Sequence, residues 1–298
     1  FHLIVLYNFA VMFRRTSHRS LYLFGVLFGL YETWMTKVVW AGFMDSGDLF
    51  LGRPLGSAVA EMSIIVFVWH PFMSFIAPIL TIQILSIHLG NENYSSRPWT
   101  PIFLSKRKLN WFFYFFFAIF SGSALALNSG GNILESTFGF IGTLSIVCLI
   151  YLTIIKQDSK NLTLDSLIVG KKGLAFMLTY LGFYTHYSSF FVRTEAIPSL
   201  LTILLTLLFY LVVILMLYLD QSSNNTGMSS NYSEPLLFDK KDLLRFYLIT
   251  YILIVFFSIL GTLAFLLIVF ASIITIVMGF IIFAYNFLRI LLRHIRSK

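Results

Sequence analysis

The 298 residues are 58% hydrophobic and only 11% charged, with 33 phenylalanines and a mean hydropathy of +0.85. Soluble domains carry roughly a quarter charged residues, so a water-soluble globule is excluded, because lipid must cover the surplus apolar surface. The net charge of +8 does not point to nucleic acid, because the cations sit in short connections between apolar runs, where they set membrane topology.

Nine apolar segments follow one another at 1–13, 20–42, 58–88, 110–128, 137–155, 174–192, 197–219, 243–265 and 268–288. The complete ones approach or exceed the roughly 20 residues that a helix needs to span hydrocarbon. They are apolar all round, unlike the short alternating strands of a membrane barrel. Segment 1–13 is shorter and reads as the tail of a span, and no small-residue cleavage site follows it to suggest a signal peptide. The expected fold is therefore all-α: a polytopic transmembrane helical bundle of about nine spans, the first incomplete, in a single transmembrane domain over 1–298. The last division is the least marked, since 246–288 holds no charge and only Gly261, Thr262 and the small residues near Ala271 signal a turn.

Ionisable groups inside spans are costly and usually face a partner or a cavity. Here they concentrate in the second segment, with Glu32 and Lys37, and the third, with Glu61 and His70. At about 1.5 Å of rise per residue, Glu32 lies roughly 15 Å deep and His70 roughly 18 Å, Lys37 and Glu61 roughly 8 and 5 Å. The two segments are antiparallel, so Glu32 is expected to meet His70 near mid-membrane and Lys37 to meet Glu61 above them. Imidazole is the side chain that exchanges protons in the physiological range, which suits a proton or ion site or a pocket for a lipid headgroup. The plainer alternative is structural: Lys37 snorkels to the interface and Glu61 sits among headgroups. Pro71 and Pro78 interrupt the third segment. Each removes a backbone donor, and the run admits either one kinked helix or two half-helices broken at Trp69–His70–Pro71.

Later segments offer less. Ser121, Gly122 and Ser123 form a small-residue patch suited to close helix contact. Cys148, the single cysteine, excludes an intramolecular disulfide and reads as a packing residue. His186 and His70 together match the two imidazoles of a b-type haem, but two histidines without a spacing pattern do not carry that reading. Asp45 and Asp48 in the first outer loop have weak cation-binding spacing. No metal site, phosphate loop, His-Glu-x-x-His helix or Cys-x-x-Cys pair is found. Segment 220–242, rich in Ser and Asn, reads as a flexible cytoplasmic loop. At the C-terminus Arg289, Arg293 and Arg296 share one helical face as a basic, lipid-facing end suited to anionic lipid at the cytoplasmic face.

With alternating directions, 18 of the 21 Lys and Arg fall on one face, Arg53 and Arg193 on the other, and Lys37 within a span. The positive-inside rule makes the first face cytoplasmic, with the C-terminus on it and the plasma membrane as the expected location. Trp34, Trp40, Trp99 and Trp111 near segment ends suit an interfacial aromatic belt. The partners implied are the lipid bilayer and other membrane subunits. Three function classes remain open: transport of a small solute or ion at Glu32, Lys37, Glu61 and His70, a non-catalytic subunit of a larger membrane complex, and a membrane-embedded enzyme acting on a lipid or lipid-linked substrate.

The topology is testable through the sequons at Asn93, Asn161, Asn224 and Asn231, all on the face read as cytoplasmic. Expression through a glycosylating membrane should leave all four unmodified, as read by gel mobility before and after glycosidase. Glycans on them would invert the orientation.

Overall fold

The computed structural model describes residues 1–42, 51–91, 108–158, 162–191, 196, 198–220 and 240–296. Among these the chain is helical throughout, with short connections and no strand. The helices are α1 (His2–Met12), α2 (His18–Thr36), α3 (Val38–Ala41), α4 (one continuous helix of Val59–Glu61, Met62–Ile76 and Ala77–His88), α5 (Lys108–Asn128), α6 (Ile133–Asp158), α7 (Lys171–Phe191), α8 (Leu200–Leu219), α9 (Lys240–Ile259) and α10 (Gly261–Arg296). The flexible-loop reading of 220–242, the sequons, Trp99, Arg193 and the Asp45/Asp48 pair lie wholly or almost wholly outside the described residues.

Among the described residues, four helices are long and apolar enough to cross a membrane: α4 over Val59–Ile87, α6 over Ile133–Thr153, α8 over Leu200–Leu219 and α10 over Gly261–Arg296. Shorter apolar helical stretches among the described residues are His2–Met12, Ala118–Asn128 and Leu244–Ile259. The final division comes at Leu260, immediately before Gly261, earlier than the 265–268 boundary read from hydropathy.

Two compact units interleave in the chain: Phe1–Ser86 with Thr163–Gly227 and Thr275–Lys298, and Ile87–Leu162 with Met228–Ile274. In the second unit α5 runs parallel to α9. A Cβ on Gly122 would stand 3.1 Å from Leu253, so the small-residue patch is where these helices close on each other. α6 runs antiparallel to α9, with Ser136 hydrogen-bonded to Ser258 at 3.1 Å and Phe140 stacked on Tyr251. Cys148 on α6 is exposed, so it does not pack a core as its apolar setting suggested.

In the first unit α2 is the central helix. Ser17 caps its start, accepting from the Ser20 amide at 3.1 Å. Lys37 ends it in the left-handed region at φ 56°, closing on the Thr33 carbonyl at 3.0 Å. Antiparallel to α2 lie α1, with His2 against Phe28 and Tyr31; α4, with Gly25 against Pro71 and Gly29 against Val66; and α8, tied by Ser17–Asp220 at one end and Trp40–Thr206 at the other. α7 runs parallel to α2 through Tyr31–Leu181 and Lys37–Ser189. The end of α10 runs parallel to α4 through Ser63–Ile276 and the rings of Phe67, Phe280 and Phe283. Trp40 is 5% exposed, with its indole N–H donating to Thr206 at 3.2 Å, so it is a core residue and not part of an interfacial belt.

The α2–α4 contact depends on missing side chains. A Cβ on Gly25 would collide with Pro71 Cα, and one on Gly29 would reach 2.8 Å from Val66 Cα. These glycines are four apart, so both sit on one face and let the two backbones touch. Opposite them, Met62–Ile76 is wound as π-helix, the Ala77 amide reaching back five residues to the Phe72 carbonyl at its end. Pro71 has no N–H and would leave the Phe67 carbonyl without its α-helical donor. Tyr22 donates its hydroxyl to that carbonyl at 3.1 Å, as neighbouring helices do for proline sites in membranes. The chain stays helical through Trp69–Pro71, so the half-helix break is not formed: a wider winding accommodates Pro71, and the helix also continues past Pro78.

Gly29→Leu should therefore lower thermal stability in detergent severely, and Tyr22→Phe should cost about 0.6–1.7 kcal/mol. Differential scanning fluorimetry of the purified variants reads both. A Gly29→Leu protein as stable as the parent would refute the backbone contact.

Candidate functional site

The glycine contact brings the second and third segments close enough for short polar side chains to bridge them. His70 Nε2 lies 2.7 Å from Glu32 Oε2, His70 being 5% exposed. The second ring nitrogen, Nδ1, is 3.1 Å from Ser74 Oγ, one turn further along α4. Phe28 packs against the imidazole in a tilted contact, with ring centroids 4.8 Å apart, and Gly29 opens the space beside it. At this distance the buried imidazole and the half-buried carboxyl of Glu32 are hydrogen-bonded. With both ring nitrogens engaged, His70 has none left for haem iron.

Lys37 and Glu61 do not form the second rung. Lys37 is 2% exposed and its ammonium donates to the Ser189 carbonyl of α7 at 3.0 Å. The left-handed turn at Lys37 directs it to α7 instead of α4. Glu61 is 5% exposed, so it does not sit among headgroups, and its Oε2 is buried without a hydrogen-bond partner. The chain around these two residues is nevertheless joined: the Ala58 amide donates to the Val39 carbonyl at 2.7 Å, and Gly56, at φ 79°, leaves no room for a Cβ beside Thr202.

With the site built, comparisons place the chain. A family model described as an uncharacterized membrane protein family matches residues 1–297. The chain belongs to this family. A curated protein of Archaeoglobus fulgidus, described as an uncharacterized protein, is 40% identical over 62 residues, which cover 21% of this chain and 19% of that protein. The matched part is thus about a fifth of that relative's length. No solved structure matches the chain. Family and apolar helices together make it an integral membrane protein in contact with the bilayer.

Arg289, Arg293 and Arg296 are exposed on the last turns of α10, which continue the helix without a separate surface segment. Arg289 donates to the Tyr285 hydroxyl one turn earlier and lies 5.5 Å from its ring centre. Burial first, then Arg293 and Arg289, press the Arg19 guanidinium at the start of α2 down from its ordinary value. Arg19 Nη1 is buried without a hydrogen-bond partner. Three cations from opposite ends of the sequence thus gather at one end of the first unit. Nearby, Asp220, 2% exposed, accepts from Ser17 at 3.2 Å and Ser20 at 2.7 Å, and Arg15 donates to the Asp220 and Tyr218 carbonyls.

Sequence reasoning missed two things. The Gly25-x-x-x-Gly29 spacing is a readable signal for close helix approach. His2 of α1 also joins the site, its ring 5.0 Å from Phe28 and 4.7 Å from Tyr31. No spacing rule marks it, because it comes from another helix. Among the described residues no three His, Cys, Asp or Glu are grouped to hold a metal ion.

The unpartnered Glu61 carboxyl yields a stability prediction. Replacing it by an apolar group of similar volume removes an unsatisfied buried oxygen, so Glu61→Met should stabilise by about 1 kcal/mol. Chemical or steric-trapping unfolding in bicelles reads this, and marked destabilisation would show that Glu61 is satisfied.

Proposed function

We propose that this membrane protein moves a small solute or ion through the polar site between α2 and α4. The observation that carries the reading is the 2.7 Å pair of the buried His70 and the half-buried Glu32, placed where two glycines bring the helix backbones together. Removing an ion pair from water is expensive, and apolar packing would stabilise such a contact equally well. A pair kept at this depth is better accounted for by use than by stability.

The nine-span topology with a cytoplasmic C-terminus is supported by the helix directions. Within each unit, every pairing described above is parallel or antiparallel as strict alternation of nine spans requires. The gathering of Arg19, Arg289 and Arg293 at one end of the first unit supports one cationic face in the plasma membrane, where anionic lipid would offset their mutual repulsion. A second reading, a subunit of a larger membrane complex, is favoured by α6, whose apolar span over Ile133–Thr153 is only 6% buried and offers a wide face to lipid or to another chain.

Reconstitution into liposomes tests the first reading, with protons, sodium and potassium as probes and fluorescent dyes as readout. Wild-type protein should carry one of them, and Glu32→Gln and His70→Gln should return flux to the protein-free background. Flux unchanged in both variants would overturn the site, and no flux of any probe by wild type would favour the subunit reading.

A further inference from the structure

His2 stands inside the site, although it comes from a helix that the sequence did not connect with it. Its ring and that of His70 both lie against Phe28, with centroids 5.0 and 4.8 Å away. His2 Nε2 is buried and has no hydrogen-bond partner, whereas both nitrogens of His70 are engaged, by Glu32 and Ser74. Leaving a buried nitrogen open costs about 1–3 kcal/mol. Such an exception calls for a reason, and a position filled only in passing is one.

We infer that His2 is a second proton-carrying station beside His70, and that the ion handled by this site is the proton. This rests on the transport reading above and names its substrate. Alkali cations are hard ions that need several oxygen ligands. The groups converging here are two imidazoles and one carboxylate already held by His70. A proton needs only a nitrogen or oxygen acceptor at each step.

The transfer balances with water as carrier. The His70 imidazolium gives its Nε2 proton to Glu32, leaving a neutral imidazole and a carboxylic acid. Glu32 passes that proton to a water, which releases one of its own to His2 Nε2. The carboxylate and the water are restored, and the positive charge has moved from His70 to His2. One carboxylate offsets one imidazolium, so a second proton in the trio meets like-charge repulsion. The site therefore holds one mobile proton at a time.

The groups facing His2 fit this assignment. The Phe1 amino group stands beside His2 on its own chain, Glu32 and Tyr31 come from α2, His70 from α4, and from α7 Tyr184, which lies beside Tyr31. The Tyr31 hydroxyl is committed to the Leu181 carbonyl at 2.8 Å and to Thr185, so it does not compete for the proton. Phe28 is the apolar partition: its ring touches both imidazoles and limits the water that can bridge them.

The full-length protein in liposomes loaded with a pH-sensitive dye tests the relay under a potassium-valinomycin potential. His2→Gln should slow proton entry by about a hundredfold, the scale of losing a positioned acid–base group, and Phe28→Ala should speed it. If His70→Gln stops flux while His2→Gln matches wild type, the relay is wrong and the α2–α4 site stands. If wild type carries sodium or potassium and not protons, the proton assignment is wrong while transport stands. Nitrogen NMR of the histidines gives a readout without flux. The His2 ring-nitrogen signals should respond to Glu32→Gln, and a His2 spectrum that this variant leaves unchanged overturns the coupling.

Discussion

The meeting of α2 and α4 backbones across Gly25 and Gly29 is the constraint on which the rest of the site depends. Lipid tails are as apolar as leucine, so helices in a bilayer gain little from burying side chains against one another. Association must come from close packing and from hydrogen bonds between helices. Two glycines on one face of α2 supply the first, and Tyr22 reaching the Phe67 carbonyl supplies part of the second. Only at this separation can side chains as short as Glu32 and His70 form a 2.7 Å pair.

Pro71 serves the same contact from the other side. A proline in the middle of an α-helix usually kinks or breaks it. Here Met62–Ile76 widens to π-helix and continues, so His70, next to the proline, keeps a defined direction. Irregular winding inside helices is common at functional positions because it re-aims one side chain without ending the element. The aromatic layer of Phe67, Phe209, Phe280 and Phe283 backs this stretch from α8 and α10, so the widened turn is braced on the face away from α2.

Much of the architecture was legible because membranes simplify the code. Each apolar run is helical over its described residues. Glu32 and His70 could be paired by counting rise from the outer ends, since both lie on neighbouring antiparallel helices. The same count failed for Lys37 and Glu61. It fixes depth but not azimuth, and the left-handed residue ending α2 turns Lys37 toward Ser189. Trp40 and Cys148 show a related limit: hydropathy tells that a position avoids water, but not whether protein or lipid replaces it. His2 was invisible for a different reason, since its place depends on how α1 lies against α2. Nothing in the sequence marks the interleaving of the two compact units either.

The account stands on a direct energetic link between Glu32 and His70 across the α2–α4 contact. A double-mutant cycle measures it: unfolding free energies in bicelles for the parent, Glu32→Gln, His70→Gln and the double variant. A coupling of about 1–3 kcal/mol is expected for a close, mostly buried pair. Additive effects, with a coupling near zero, would mean that the two side chains do not meet in the membrane, and the site built on them would fall.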